Sequence, residues 1–312
     1  MNKCLYCYGE LKKGNFHSVC SKKFFGTEKG VVVPYELNEF YKLGKIVVEK
    51  RVAVPGVQSK LTMELNKKIK AEPKLTIVGL WGNYILKPPS EHFDSLPENE
   101  DLTLKLAEIF KIKTVDHSLI RLKSGELAYV TKRIDREKNK KIHMEDFCQL
   151  TERLTEDKYK GSIELINRTI DKYSSNPGLD KLNVFELALF SFLTGNADMH
   201  LKNFSVIYKN GMISLSPAYD LISTRLVIPE KDDPEEIALT INGKRRNLQL
   251  NDFLKLGESS GLNKKQIENT LEKFKINLSK AICIIDSSLL SEQLRTKYVS
   301  LLSERATRLS LI

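Results

Sequence analysis

The sequence predicts an α+β chain in two parts, a small β-rich part followed by a larger helical one. Three observations predict it. Up to about residue 130, short β-branched or alternating runs are separated by Gly, Pro and Asn. Beyond that point apolar residues recur at three- and four-residue intervals. One strand pair, FSVIY (204–208) and MISLS (212–216) joined by KNG, is the sole strand signal inside the helical part.

In the first part, VVVPYEL (31–37), KIVVEKRVAV (45–54), LTIVG (75–79), NYILKP (83–88) and ELAYVTKRID (126–135) read as strands. LPENEDLTLKLAEIFKI (96–112) carries acids in its first turn and apolar residues at helical spacing, so it reads as a helix. In the second part, HMEDFCQLTERLTED (143–157), GSIELINRTIDKYSS (161–175) and LDKLNVFELALFSFLTG (179–195) have the helical period. So do NKKQIENTLEKFKINLSKAICII (263–285) and SEQLRTKYVSLLSERATRLSLI (291–312), the former opening on Asn263 and Gln266 spaced as a capping box.

At 312 residues with 41% hydrophobic and 29% charged content, the chain is globular in composition and long enough for two lobes. Its apolar runs are too short to span a bilayer, and MNKCLYCYGE lacks a signal-peptide core. The expectation is a soluble cytoplasmic protein with no membrane partner, and secretion as an effector is left open. Lys and Arg total 50 against 40 Asp and Glu, a net +10 that would favour nucleic acid, nucleotide or acidic partners. The basic residues are dispersed, however, as in KRIDREKNKKIH (132–143) and NGKRRN (242–247), which reads as solvated surface. No helix-turn-helix or basic helix is evident, which argues against direct sequence-specific DNA binding.

Cys148 and Cys283 stand singly in apolar helical patterns and read as core thiols. Cys4, Cys7 and Cys20 gather with His17 in the order C-x2-C-x9-H-x2-C. Two readings stand side by side. Three thiols and an imidazole suit a structural zinc, and reduced cysteines packed with Phe16, Phe24 and Phe25 account for the same residues.

The stretch TGNADMHLKNFSVIYKNGMISLSPAYD (194–220) carries the chemistry. Asp198 and Asn203 are spaced D-x4-N just after the helix pattern closes at Gly195, and a second aspartate, Asp220, follows the hairpin. Phosphoryl transfer needs a carboxylate at the attacking hydroxyl and oxygen ligands for magnesium. Protein kinases supply these as an Asp, an Asn five residues later and an Asp beyond a hairpin. Lone D-x4-N pairs are common; the three residues in this order are much less so.

GNADMHLKNFSVIY followed by LSPAYDLIST resembles the C-terminal part of the HipA-type serine/threonine kinases, toxins of bacterial toxin–antitoxin systems. MEDFCQL (144–150) and PENEDLTLKLAEIFKI (97–112) are similar to two helices of that family. The resemblance implies a bilobal protein-kinase-like fold: a Cys-rich segment at 1–26, a β-rich nucleotide-binding lobe at 27–131 and a helical lobe at 132–312. Because the sequence moves from CLYCYGELKKGNFHSVCSKKFFGT almost directly to the nucleotide lobe, it resembles the short HipT branch, whose missing subdomain is a separate protein, HipS.

Carried over by position, the resemblance makes VPGVQSK (54–60) the phosphate loop, matching the family's GxQxK through Gly56, Gln58 and Lys60, with Val57 and Ser59 between them. Lys87 matches the nucleotide lysine, and Glu100 either pairs with it or caps its own helix. TKRIDR (131–136) resembles the hinge: the backbone at Lys132 and Ile134 would meet adenine, and Asp135 would bond the ribose or stand as a solvated strand-end acid. Asp198 would be the catalytic aspartate, His200 would order the loop or contact that aspartate, and Asn203 and Asp220 would hold Mg²⁺. Lys202 would neutralise the transferred phosphoryl group or be a surface lysine. Where the family has a regulatory serine before the loop glycine, this chain has Ala53.

What the resemblance implies is a Mg-ATP-dependent serine/threonine kinase acting on a translation component such as an aminoacyl-tRNA synthetase, with tryptophanyl-tRNA synthetase the choice for the short branch. Its partners would be antitoxins resembling HipB and HipS, with DNA reached only through an antitoxin. Two other readings use the same scaffold: a silent kinase-like binding module, and a kinase of small molecules or nucleic acid.

Overall fold

The chain enters through a two-strand ladder, β1 (Asn2–Lys3) with β2 (Glu10–Leu11), followed by a helix over Ser18–Phe25. The computed structural model describes residues 2–42, 60–67, 72–79, 81–137 and 140–312. These fall into two units, the first holding Met1–Leu102, Val115–Lys140 and Ser287–Leu290.

An antiparallel sheet organises the first unit: β3 (Leu61–Asn66), β4 (Lys74–Ile77), β5 (Tyr84–Lys87), β6 (His117–Arg121) and β7 (Leu127–Lys132), in the order β4-β3-β5-β7-β6. In β3, Leu61 and Met63 turn into the core while Thr62 and Glu64 lie half-buried, the alternation that a sheet with one covered face requires. The covering layer includes Phe24 and Phe25 from the first helix, both in ring contact with Tyr84.

Two expectations change here. VVVPYEL is not a strand. Val31 and Val33 enter the core, but only Val32 bridges to Lys74, and Pro34, which has no N–H to donate, interrupts any ladder. LTMELN and HSLIR, not read as strands, are β3 and β6. KIVVEKRVAV lies outside the described residues. The helix Leu96–Ile109 stops short of residue 112 because Lys111 turns left-handed (φ 64°) and Ile112 N–H bonds the Ala107 carbonyl at 2.9 Å, a Schellman closure. β8 (Arg136–Glu137) and β9 (Lys140–Lys141) form a further short pair.

The second unit is mainly helical: Ile163–Tyr173, Pro177–Thr194, Leu250–Ser259, Lys264–Ser287 and Glu292–Arg308. Pro177–Thr194 runs through its middle with eleven buried residues, packing on helices 163–173 and 292–308. Gly195 ends it at φ 67°, where an added Cβ would lie 2.7 Å from Leu301 and 2.9 Å from Arg225.

HMEDFCQLTERLTED is not one helix. It gives β10 (Met144–Asp146), a helical turn Phe147–Leu150 and a 3₁₀ turn Thr155–Asp157. Asp146 and Gln149 form a reciprocal capping box that starts the turn directly from the strand, and Glu152 breaks it at φ 55°. β10 pairs with β11 (Ser205–Lys209), which pairs with β12 (Met212–Leu215), so the predicted hairpin has a third strand. Its turn has φ 53° at Asn210 and 75° at Gly211, the two left-handed residues of a type I′ connection.

Cys148 is buried, but Cys283 is exposed. Helix 264–287 turns Leu278, Ala281 and Ile285 inward, and residue 283 sits two positions from the last two, on the opposite side. Among the described residues no helix is long and apolar enough to cross a membrane.

Candidate active site

Gly195 reverses the chain out of its helix, and Asn196 anchors the loop: its amide bonds the Ser191 carbonyl and its side chain accepts from Asp198 N–H at 3.0 Å. The Asp198 side chain is 44% exposed. Tyr159 donates its hydroxyl to Asp198 Oδ1, so one carboxylate oxygen is held, and Oδ2 has no hydrogen-bond partner among the described residues. Burial, then the bond to Asp198, raises the Tyr159 phenol well above its usual range, which keeps it a donor.

Asn203 closes the loop. It is buried at the end of a 3₁₀ turn, Leu201–Asn203, and its Nδ2 donates to the Asp198 carbonyl at 2.9 Å. That fixes the amide orientation and assigns the Oδ1 atom as the available hard ligand. His200 is buried, its Nε2 3.9 Å from Asp198 Oδ1 and its ring edge-on to Tyr159. Burial pushes its imidazole below the ordinary value, against the pull of Asp198, so it packs as a neutral ring. Lys202 turns back to Asp146 Oδ2 at 2.8 Å.

The hairpin returns the chain to this loop. Tyr219 donates to the Lys202 carbonyl at 2.9 Å, and Ser205 Oγ lies 2.6 Å from the same phenol oxygen. With that phenol committed to the carbonyl, Ser205 is the donor of the second bond. Asp220 follows at φ 58°, and its charge is felt at His200. Asp198, His200, Lys202, Asn203 and Asp220 therefore share one loop system within the second unit.

In the first unit, Lys87 Nζ bonds Glu100 Oε1 at 2.5 Å, with side chains 5% and 2% exposed, and it also lies over the Tyr129 ring. Next to Glu100, Asp101 accepts from Tyr8 O–H at 2.6 Å and lies 2.7 Å from His117 Nδ1. Lys132 N–H is taken by the Asp116 carbonyl and its Nζ by the Asp116 carboxylate, whereas Ile134 has no backbone hydrogen bond among the described residues. Asp135 is gripped by Arg133 at 2.9 and 2.7 Å and by Arg136 at 2.6 Å. Burial pushes its carboxyl up, but the two guanidiniums outweigh it and hold it below the usual range. Gly56, Val57, Gln58, Ser59 and Ala53 lie outside the described residues, and Lys60 directly precedes β3.

Two contacts had no reading in the sequence. Asp146 was visible only as the first residue of a D-x-x-Q capping spacing; that it also receives Lys202 has no local signal. Tyr159 lies 39 residues from Asp198, and no periodicity links them. The four N-terminal residues do converge: the ligand atoms of Cys4, Cys7, His17 and Cys20 all lie within 4.8 Å of one another.

The chain is 31% identical over 242 residues to the candidate kinase Y4dM of Sinorhizobium fredii, covering 72% of this chain and 58% of that one. It is 27% identical over 212 residues to the serine/threonine-protein kinase toxin HipA of Shewanella oneidensis, covering 62% of this chain and 47% of that one. The chain thus spans about half the length of these relatives. A solved complex of Shewanella oneidensis HipA, HipB and operator DNA contains a chain that matches with a TM-score of 0.69 at 20% identity, covering 89% of this chain and 72% of that one. The fold is accordingly kinase-like, the mixed α and β architecture of HipA. The sequence profile of the HipA-like C-terminal domain matches residues 52–282, well over half of the chain, and the chain belongs to that family.

Proposed function

We propose that this chain is a Mg-ATP-dependent serine/threonine protein kinase. The observation that carries the reading is the loop in which Asn203 ties down Asp198 and Tyr219 returns Asp220 to the same backbone. Tyr159 holds Asp198 Oδ1, leaving Oδ2 to orient a substrate hydroxyl and accept its proton. The amide oxygen of Asn203 and the carboxylate of Asp220 are hard oxygen donors of the kind magnesium takes. Magnesium bound there would neutralise charge on the nucleotide phosphates. By the sequence's resemblance to the family, Lys87, which Glu100 holds, would be the phosphate-gripping cation, and Lys60 with Gly56, Val57, Gln58 and Ser59 would be the phosphate loop. The backbone at Lys132 and Ile134 would face adenine. Asp135 accepts the ribose only through lone pairs that Arg133 and Arg136 leave open. His200 packs the loop, and Lys202 positions it through Asp146 rather than acting as a free cation.

The likeness to HipA supports the toxin reading, with an antitoxin of HipB type as partner and operator DNA reached through it. An aminoacyl-tRNA synthetase, tryptophanyl-tRNA synthetase first, is the substrate that the sequence's resemblance to these toxins suggests.

The test is transfer of labelled γ-phosphate from Mg-ATP into bacterial lysate by this chain and by its Asp198→Asn variant. A discrete labelled protein that vanishes with the variant is expected, and it identifies the acceptor. Equal labelling by both would overturn the assignment of Asp198. ATP binding without any transfer would favour the silent module.

A further inference from the structure

The N-terminal cluster has the geometry of a built metal site. In a tetrahedral zinc site with Zn–S near 2.3 Å and Zn–N near 2.0–2.1 Å, sulphur and nitrogen ligands stand about 3.6 Å apart and two sulphurs about 3.8 Å. Cys7 Sγ is 3.4 Å and Cys20 Sγ 3.7 Å from His17 Nδ1. His17 Nε2 sits 2.9 Å from the Glu10 carbonyl. A carbonyl only accepts, so Nε2 carries the proton and Nδ1 presents its lone pair to the three sulphurs, the tautomer a metal-bound histidine adopts.

The backbone is shaped for the same purpose. Cys4 N–H bonds the Gly9 carbonyl at 2.8 Å and Tyr8 N–H bonds the Cys4 carbonyl at 2.9 Å, closing a tight knuckle around the first two cysteines. His17 N–H points at Cys4 Sγ at 3.4 Å, and His17 with Cys20 sits at the start of helix Ser18–Phe25. Packing against aromatics does not account for this convergence. Phe24 and Phe25 are spent on the sheet core with Tyr84, and none of the cysteines belongs to that apolar cluster. All three thiols are free, and one disulfide among them would leave an odd sulphur beside the imidazole.

We propose that Cys4, Cys7, His17 and Cys20 bind one zinc ion, and that the knuckle it closes braces the helix bearing Glu100. The three thiols give up their protons on binding, so the site with its neutral imidazole carries one net negative charge. The brace begins one residue beyond Cys7. Tyr8 is held left-handed at φ 62°, is buried, and donates to Asp101 Oδ2 at 2.6 Å. Asp101 is fixed on its other oxygen by His117 and immediately follows Glu100, the partner of Lys87. All of these residues lie in the first unit. Loss of the metal frees the knuckle, Tyr8 leaves Asp101, and the first turns of helix 96–109 loosen. The further consequence, weaker ATP binding at Lys87, rests on the kinase reading above.

The experiment measures metal content and hydrogen exchange, neither of which depends on phosphoryl transfer. The full chain, grown with zinc, is expected to carry about one zinc by elemental analysis. Cys283→Ser should keep it and Cys4→Ser/Cys20→Ser should lose it. Zinc no higher than in that double variant, or iron in its place, overturns the site. Should the double variant fail to fold, the chelated wild-type chain is titrated with cobalt: a thiolate-to-cobalt absorption band supports the site, and its absence overturns it. For the brace, Tyr8→Phe retains every ligand, so zinc stays at one per chain while exchange at residues 96–102 rises several-fold. Unchanged exchange there with zinc retained overturns the brace. Zinc binding with no ATP binding would leave the site standing and count against the kinase reading alone.

Discussion

The phenol of Tyr219 donates to the carbonyl of Lys202 at 2.9 Å, and this bond joins the two ends of the hairpin. The two residues are seventeen positions apart, and their bond adds to the β11–β12 ladder and to the Ser216 N–H bond to the Ser205 carbonyl in holding the hairpin ends together. A half-buried phenol whose ionisation is pushed far above its usual range stays a donor at every working pH. Removing its hydroxyl leaves a half-buried carbonyl short of a partner, at a cost of about 1 kcal/mol. Tyr219→Phe is therefore expected to unfold at lower urea by that amount and to transfer phosphate more slowly. An unchanged midpoint would show that the bond does not organise the hairpin.

Tyr159→Phe probes the other side of the same carboxylate. The variant should keep its thermal midpoint within a degree or two, because Tyr159 is partly exposed. Its kcat should fall about 10–100-fold with the KM for ATP unchanged, the mark of a misplaced reacting group. Loss of ATP affinity instead would mean that the contact serves the nucleotide.

The Lys87–Glu100 pair predicts a non-additive result. Either Lys87→Met or Glu100→Leu alone takes the ion-pair partner from a charge that is almost fully buried, costing about 3–5 kcal/mol. The double variant should recover most of that stability while ATP binding stays lost. Chemical denaturation and calorimetric titration of the four proteins decide it. Additive losses in the double variant would refute the coupling.

Acid stability should depend on Glu236. Burial pushes its carboxyl up, but Arg308 at 2.6 and 3.0 Å, the Leu248 amide at 2.9 Å and Arg305 hold it below the ordinary value. A carboxylate with a lowered folded pKa stabilises above its unfolded value of about 4.3 and loses that contribution as pH falls through the folded one. Glu236→Gln should be less stable at pH 7 and should show a flatter stability curve below about pH 4.3. Parallel curves for variant and wild type over that window would exclude the linkage.

Gly195→Ala combines left-handed strain with contacts of 2.7 Å to the tip of Leu301 and 2.9 Å to the Arg225 Cβ, and the Cβ, fixed to its own backbone, cannot retreat by a side-chain rotation. A loss of about 2–4 kcal/mol is expected from strain and overpacking together, read from the denaturant midpoint. A neutral substitution would mean that the helix end shifts freely.

Local signals carried the fold wherever an element followed its own period. Helices 163–173, 177–194 and 264–287 lie where apolar spacing put them, and the Asn263–Gln266 box makes both of its bonds. The Asn-Gly pair placed the hairpin to within one residue: Lys209, read as part of the turn, is the last residue of β11. Reading failed where long-range pairing overrode the period. Met144–Asp146 is a strand because β11 offers it an edge, and a three-residue strand has no periodicity to detect. D-x4-N singled out Asp198 and Asn203 as candidates, whereas the contacts of Tyr159 and Asp101 are to partners 39 and 93 residues away, which no local pattern shows. Cys283 was misread because a helical run of apolar residues wraps onto the outer face of helix 264–287.

The left-handed backbone at Asp220 places a second filter on what evolution can try there. Only Gly, Asn and Asp enter that conformation readily, since other side chains crowd the following carbonyl. A neutral drift toward Ala, Val or Ser would meet a conformational penalty before any question of chemistry arose. Asn alone changes the charge while keeping the shape, so a natural lineage that silenced this site gently would pass through Asn, and an engineer seeking an inert but well-folded version should start from the same residue.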